Sequence, residues 1–151
     1  MTTDHHHIPI IRLWGHLLVP VQGEVSDHQA ESLFDEVLHE LEDHGALGLI
    51  LDLSGVTLMD SHLCAVIAQL ASSARLMGTP TVVCGIRPEI ALTLQTMGVR
   101  LDGVRTTLTL EDALDHLGVR LAPIPDATDD NLPARFSPNE AVEVTDLAQL
   151  A

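Results

Sequence analysis

Asp60, Ser61 and His62 place a carboxylate, a hydroxyl and an imidazole in consecutive positions. An acid, a nucleophile and a base are the parts of a hydrolytic relay, so catalysis is the first reading to weigh. The spacing argues against it. A long apolar helical pattern comes next, and neighbours at i and i+1 on a helix diverge instead of meeting. No G-x-S-x-G elbow occurs either. Two readings of Ser61 then stand level. A serine that begins a helix caps a backbone N–H and does nothing more. Alternatively, Asp60 takes the cap and leaves Ser61 at the first helical position with its hydroxyl free. A phosphate there would sit at a helix N-terminus, where backbone N–H groups and the helix dipole favour an anion. It would add about −1.5 to −2 charges.

The other reactive side chains offer less. Cys64 and Cys84 lie within apolar stretches, form no CxxC, and read as buried free thiols in a reducing compartment. The histidines are mostly scattered. The triplet at His5, His6 and His7 reads as part of a flexible polar N-terminus over residues 1–7 rather than a metal site. The chain has no lysine and no tyrosine, so P-loop hydrolysis, Schiff-base chemistry and a lysine base are all excluded. No catalytic residue, metal or cofactor is expected.

The element that must present Ser61 is a helix over 60–77. At about 100° per residue, Leu63, Val66, Ile67, Leu70, Ala74 and Met77 share one buried face. Ser61 falls roughly opposite, beside Ala65, Ala68 and Ser72, with Cys64 and Ala71 flanking. This outer face is small and uncharged where most exposed helix faces carry Lys, Glu or Gln. It suits close approach by another surface, either an element of the same fold or a partner.

Around that helix the chain alternates. "IPIIRLWGHLLVPVQGEV" (8–25) reads as a hairpin broken at Gly15-His16. Ser26 and Gln29 form a capping box ahead of a helix that stops at Gly45. Its face is Leu33, Phe34, Val37, Leu38 and Leu41. "LGLILDLS" (47–54) and "TPTVVCGI" (79–86) read as buried strands. "RPEIALTLQTMG" (87–98) has Pro88 in the first turn and Gly98 as a stop, with Ile90, Ala91, Leu94 and Met97 as its apolar face. Residues 99–106 allow a short strand, and Thr109 with Asp112 opens a last helix that ends at Gly118. The order predicts an α/β domain over 8–118: a mixed sheet with an antiparallel N-terminal hairpin, parallel later strands and four helices. Residues 119–151 hold four of the eight prolines and a cluster of acids, and read as a tail outside the fold with a short helix near its end.

At 151 residues one domain with a sizeable core is expected, and an aliphatic one, since aromatics are 2%. A net charge of −15 repels phosphate backbones and anionic lipid, so nucleic-acid and membrane-surface roles are not expected. No apolar run suits a membrane span, and the first residues lack a signal-peptide layout. The cytoplasm is the expected compartment.

"IPIIRL", "ILDLSGVTLMDSHLCAVI", "RLMG" (75–78) and "GIRPEIALTLQTMGVRL" (85–101) together resemble the STAS domain of bacterial anti-sigma-factor antagonists, and within it the stressosome branch. The resemblance implies a non-enzymatic stress-signalling scaffold. Such domains co-assemble with RsbR-like STAS paralogues into a large complex and hold an RsbT-like serine/threonine kinase. Phosphorylation then releases the kinase, controlling an alternative sigma factor or a related output. The resemblance makes Ser61 the phosphoacceptor and matches Thr93, in "PEIALT", to a second, weaker acceptor. Asp60, Ser61, Ala65, Ala68 and Ser72 are then the expected partner-binding face. The alternative within the family is a simple antagonist that binds an anti-sigma kinase directly. The acidic tail lies outside the resemblance.

Overall fold

The computed structural model describes residues 7–120. The expected tail with its terminal helix and most of the N-terminal stretch lie outside the described residues. His7, the last residue of that stretch, hydrogen-bonds Glu36 at 2.8 Å.

Strand β1 (Ile11–Leu13) turns through Trp14 and Gly15 into β2 (His16–Gly23). Both turn residues have positive φ, 47° and 79°. That hand of two-residue turn matches the twist of the strands it joins. The chain then runs α1 (Asp27–His44), β3 (Gly48–Val56), α2 (Ser61–Leu76), β4 (Thr81–Cys84), α3 (Pro88–Thr96), β5 (Arg105–Thr107) and α4 (Leu110–His116). The five strands lie in chain order, with β1 antiparallel to β2 and the rest parallel. The predicted mixed sheet and four helices are what residues 7–120 form.

The helices divide unequally over the sheet. The larger core joins Leu17, Val19, Leu49, Leu51, Leu53 and Val83 of the strands to Leu33 and Val37 of α1, Leu63, Ile67 and Leu70 of α2, and Ile90 and Leu94 of α3. The smaller core puts Ala113 and Leu114 of α4 on Ile50, Val82 and Cys84. β3 records both environments. Its first residues, Gly48 to Leu51, are buried on both faces, and then Asp52 and Ser54 begin to alternate outward. Gly48 lets α4 close on the sheet. A Cβ there would come within 2.8 Å of Leu117 and 2.9 Å of His16.

Three details differ from the periodicity reading. Met77 is 45% exposed, because α2 ends at Leu76 and the chain turns away. Cys64 and Ala71, expected to flank the outer face, are fully buried, so the buried arc of α2 is wider than the leucine positions alone mark. Ala91 is exposed and Met97 is 44% exposed, since α3 anchors only through Ile90 and Leu94. Among the described residues no helix is long and apolar enough to cross a membrane.

Candidate phosphoacceptor site

The loop after β3 sets where α2 begins. Its entry is held on two sides: the Thr57 N–H donates to Gly23 O at 3.2 Å, and Arg87 donates to Val56 O at 2.6 Å. Met59, one residue before the cap, is buried and anchors the loop to the core. Asp60 is extended (φ −91°, ψ 175°) and accepts from the Leu63 N–H at 2.8 Å. Its carbonyl accepts from the Cys64 N–H at 3.0 Å. Asp60 is therefore the N-cap and Ser61 the first helical residue. Ser61 is exposed, and its hydroxyl makes no hydrogen bond among the described residues.

Below it, Ala65, Ala68, Ser72 and Leu76 continue the stripe turn by turn to the end of α2. Ala65 and Ser72 are exposed, Ala68 is half-buried, and Leu76 is 90% exposed. No element among the described residues covers Ser61, Ala65 or Ser72. The expected partner face is thus brought onto one stripe, with the hydroxyl at its head.

The arrangement cannot run a relay. The Asp60 carboxylate is committed to the cap. His62 turns toward α1, where its Nε2 lies 3.7 Å from Glu31, too far for a hydrogen bond. That nitrogen is buried without a hydrogen-bond partner. Cys64 supplies no nucleophile either. Helix N-termini usually acidify a thiol, but burial, and then the Asp60 charge, push this one upward. Cys84 is pushed up to about 12, by burial first and then by Asp52. Both cysteines are free and buried, as expected. Among the described residues no group of three His, Cys, Asp or Glu could hold a metal.

Thr93 is placed differently. It is half-buried, and its hydroxyl donates to Glu89 O at 2.9 Å, one turn back. Two features of the loop that leads to Ser61 escape sequence reasoning. Leu58, 60% exposed, stands in the loop before the cap. Arg87 ties the start of α3 to the end of β3. Arg87 lies within the "GIRPEIA" stretch, but nothing in helical periodicity marks a backbone-directed arginine. Leu58 carries no sequence signal.

Residues 7–113 match the STAS domain family. RsbT co-antagonist protein RsbRD of Bacillus subtilis (strain 168) is 33% identical over 104 residues, which are 69% of this chain and 37% of that protein. RsbT co-antagonist protein RsbRC of the same organism is 31% identical over 107 residues, 38% of its length. The chain thus spans less than two-fifths of these relatives. Among solved structures, a serine-to-glutamate variant of RsbS from Moorella thermoacetica is 32% identical with a TM-score of 0.68, covering 74% of this chain and 94% of that one. A chain of a stressosome structure is 31% identical with a TM-score of 0.65, covering 73% and 96%. The unphosphorylated anti-sigma factor antagonist SpoIIAA, at 14% identity and a TM-score of 0.60, shares the fold.

Proposed function

We propose, from the premise that the chain belongs to the STAS domain family, that it is a non-enzymatic, RsbS-like stressosome scaffold that holds an RsbT-like serine/threonine kinase and releases it when Ser61 is phosphorylated. The observation that carries the reading is the exposed, unbonded Ser61 hydroxyl, freed by the Asp60 cap and placed at the head of a smooth neutral stripe. A kinase can reach it without unfolding the domain. Relatives whose names make them RsbT co-antagonists support the kinase as partner and RsbR-like paralogues as co-assembling chains. The likeness to an RsbS structure, 32% identical with a TM-score of 0.68, supports the RsbS-like role. Its place of work is then the cytoplasm.

The release step is electrostatic. The modified side chain gains about −1.5 to −2 charges at a helix N-terminus that stabilises them, so the domain stays folded. The same charge is costly to desolvate beneath a partner packed on Ala65 and Ala68, so the contact loosens. Thr93 serves as a second, weaker acceptor, since its hydroxyl must first leave Glu89 O.

Kinase retention tests the reading. Immobilised wild-type chain should bind an RsbT-like kinase and lose it on adding ATP, while Ser61→Ala should bind it and keep it. Equal loss from both chains would remove Ser61 from the switch. The simple-antagonist alternative is separated by size: a scaffold mixed with an RsbR-like paralogue elutes as a large particle, an antagonist as a small one.

A further inference from the structure

The arginines of this chain are few, seven against 22 acidic residues, so a carboxylate partner is easy to find. Arg12 takes Glu40 at 2.8 Å and Arg100 takes Asp102 at 3.3 Å. Arg87 donates to a backbone carbonyl instead, and two further arginines share one place in the fold. Arg75, in the last turn of α2, and Arg105, opening β5, line one groove of about 780 Å³ at the amino ends of β4 and β5. Neither has a carboxylate partner among the described residues. His116 of α4 and the Thr81 and Thr106 positions line the same groove, and no Asp or Glu among the described residues does.

Arg75 is also seated. Its Nη1 donates to Asp102 O at 3.5 Å, while the carboxylate of Asp102 is turned to Arg100. The guanidinium lies over Gly103, where φ is 74° and a Cβ would fall on the arginine itself. The backbone is shaped to hold the cation in the groove rather than to neutralise it. Two guanidiniums without carboxylate partners among the described residues thus line one polar groove, where one anion could serve both.

We propose that this groove is a binding site for a multiply charged oxyanion, a phosphate or polycarboxylate compound. Two planar guanidiniums supply forked donors that match such oxygens, which a single charged ammonium cannot do. The size of the groove lies within the range of small-molecule sites. It stands at the opposite end of the sheet from Ser61, which comes after the carboxyl end of β3. It is therefore a second site and does not depend on the phosphoacceptor reading.

The test titrates pyrophosphate and, separately, citrate into the isotope-labelled full chain, with sodium chloride at matched ionic strength as the control. Amide signals should move at residues 78, 79, 81, 82, 103–106 and 116–117, with a Kd of about 1 mM or tighter for at least one probe. Pyrophosphate alone binding assigns the site to phosphate compounds, and citrate alone to polycarboxylates. Arg105→Gln and Arg75→Gln should each weaken binding about tenfold or more. Arg100→Gln, outside the groove, should leave it unchanged. Arg105 is exposed at the sheet edge, so its variant remains informative even where Arg75→Gln disturbs the loop it holds. Absence of binding by both probes, shifts located elsewhere, or affinity unchanged in both groove variants would overturn the proposal.

Discussion

Ser26 and Ser61 stand at the starts of the two longest helices among the described residues, and their hydroxyls have opposite fates. Ser26 is the N-cap of α1. Its Oγ accepts from the Gln29 N–H at 3.2 Å, and its own N–H donates to Gln29 Oε1 at 2.9 Å. That hydroxyl is spent on the fold. At α2 the cap is one residue earlier, and Asp60 accepts from Leu63 instead. A single-residue offset in the position of the cap decides whether a serine holds a helix or stays available for chemistry. The outer surfaces of the two helices differ as well. α1 carries carboxylates there, including Asp35, Glu42 and Asp43, whereas α2 continues in Ala65, Ala68 and Ser72.

The largest effect expected from this contrast is on partner binding. Ala68→Arg drives a long charged side chain into the neutral stripe of α2. Binding of an RsbT-like kinase should fall about tenfold or more, with little change in melting temperature. An arginine introduced on the outer face of α1 at Glu42 should leave kinase binding intact. Equal loss from both would mean the α2 stripe is not the contact.

Stability should respond in the reverse sense. Ser26→Ala removes a capping box and should cost about 1 kcal/mol, read as a lower denaturant midpoint at unchanged slope. Ser61→Ala should stay within about 0.5 kcal/mol, because its hydroxyl bonds nothing. Asp60→Ala breaks the distinction. It should cost about 1 kcal/mol and slow phosphorylation, since Ser61 is left as the nearest hydroxyl for the freed N–H groups. A Ser61→Ala loss as large as that of Ser26→Ala would show that Ser61 is a structural cap after all.

The smallest effect is in the thiols. Both cysteines have pKa values raised by burial, Cys84 to about 12. A thiol with a raised folded pKa leaves stability untouched below its unfolded value. Stability is then lost as pH climbs from about 9 toward 12, because the unfolded chain releases the proton first. Native protein at pH 8 should resist iodoacetamide at both positions and react only on unfolding. Ready labelling of Cys64 would mean that the start of α2 is open and that Ser61 is not its one available group.

Most of the fold is legible in the sequence because the signals are local. Ser26 with Gln29, Pro88, and Thr109 with Asp112 announce their helices, and the structure has each cap bond or first-turn proline in place. The free hydroxyl at Ser61 is only half legible: Asp60 offers an alternative cap, and the Leu63 N–H bond to Asp60 decides between the two readings. The misses are tertiary. Met77 and Met97 fit an apolar period but lie past the ends of their helices, where no packed neighbour remains. Arg87 reaching Val56 O spans 31 residues, and the placing of Arg75 and Arg105 on one groove depends on the β4–β5 crossover. Pairings over such distances leave no mark in spacing.

If the Asp60 cap sets the acceptor, then Ser61, and not Ser26, takes the phosphate. Peptide mass spectrometry of the wild-type chain after incubation with an active RsbT-like kinase and ATP decides between them. Phosphate should appear on Ser61 first, with a slower and minor signal on Thr93 and none on Ser26. Phosphate on Ser26, undiminished incorporation in Ser61→Ala, or an unmodified wild-type chain would refute the assignment.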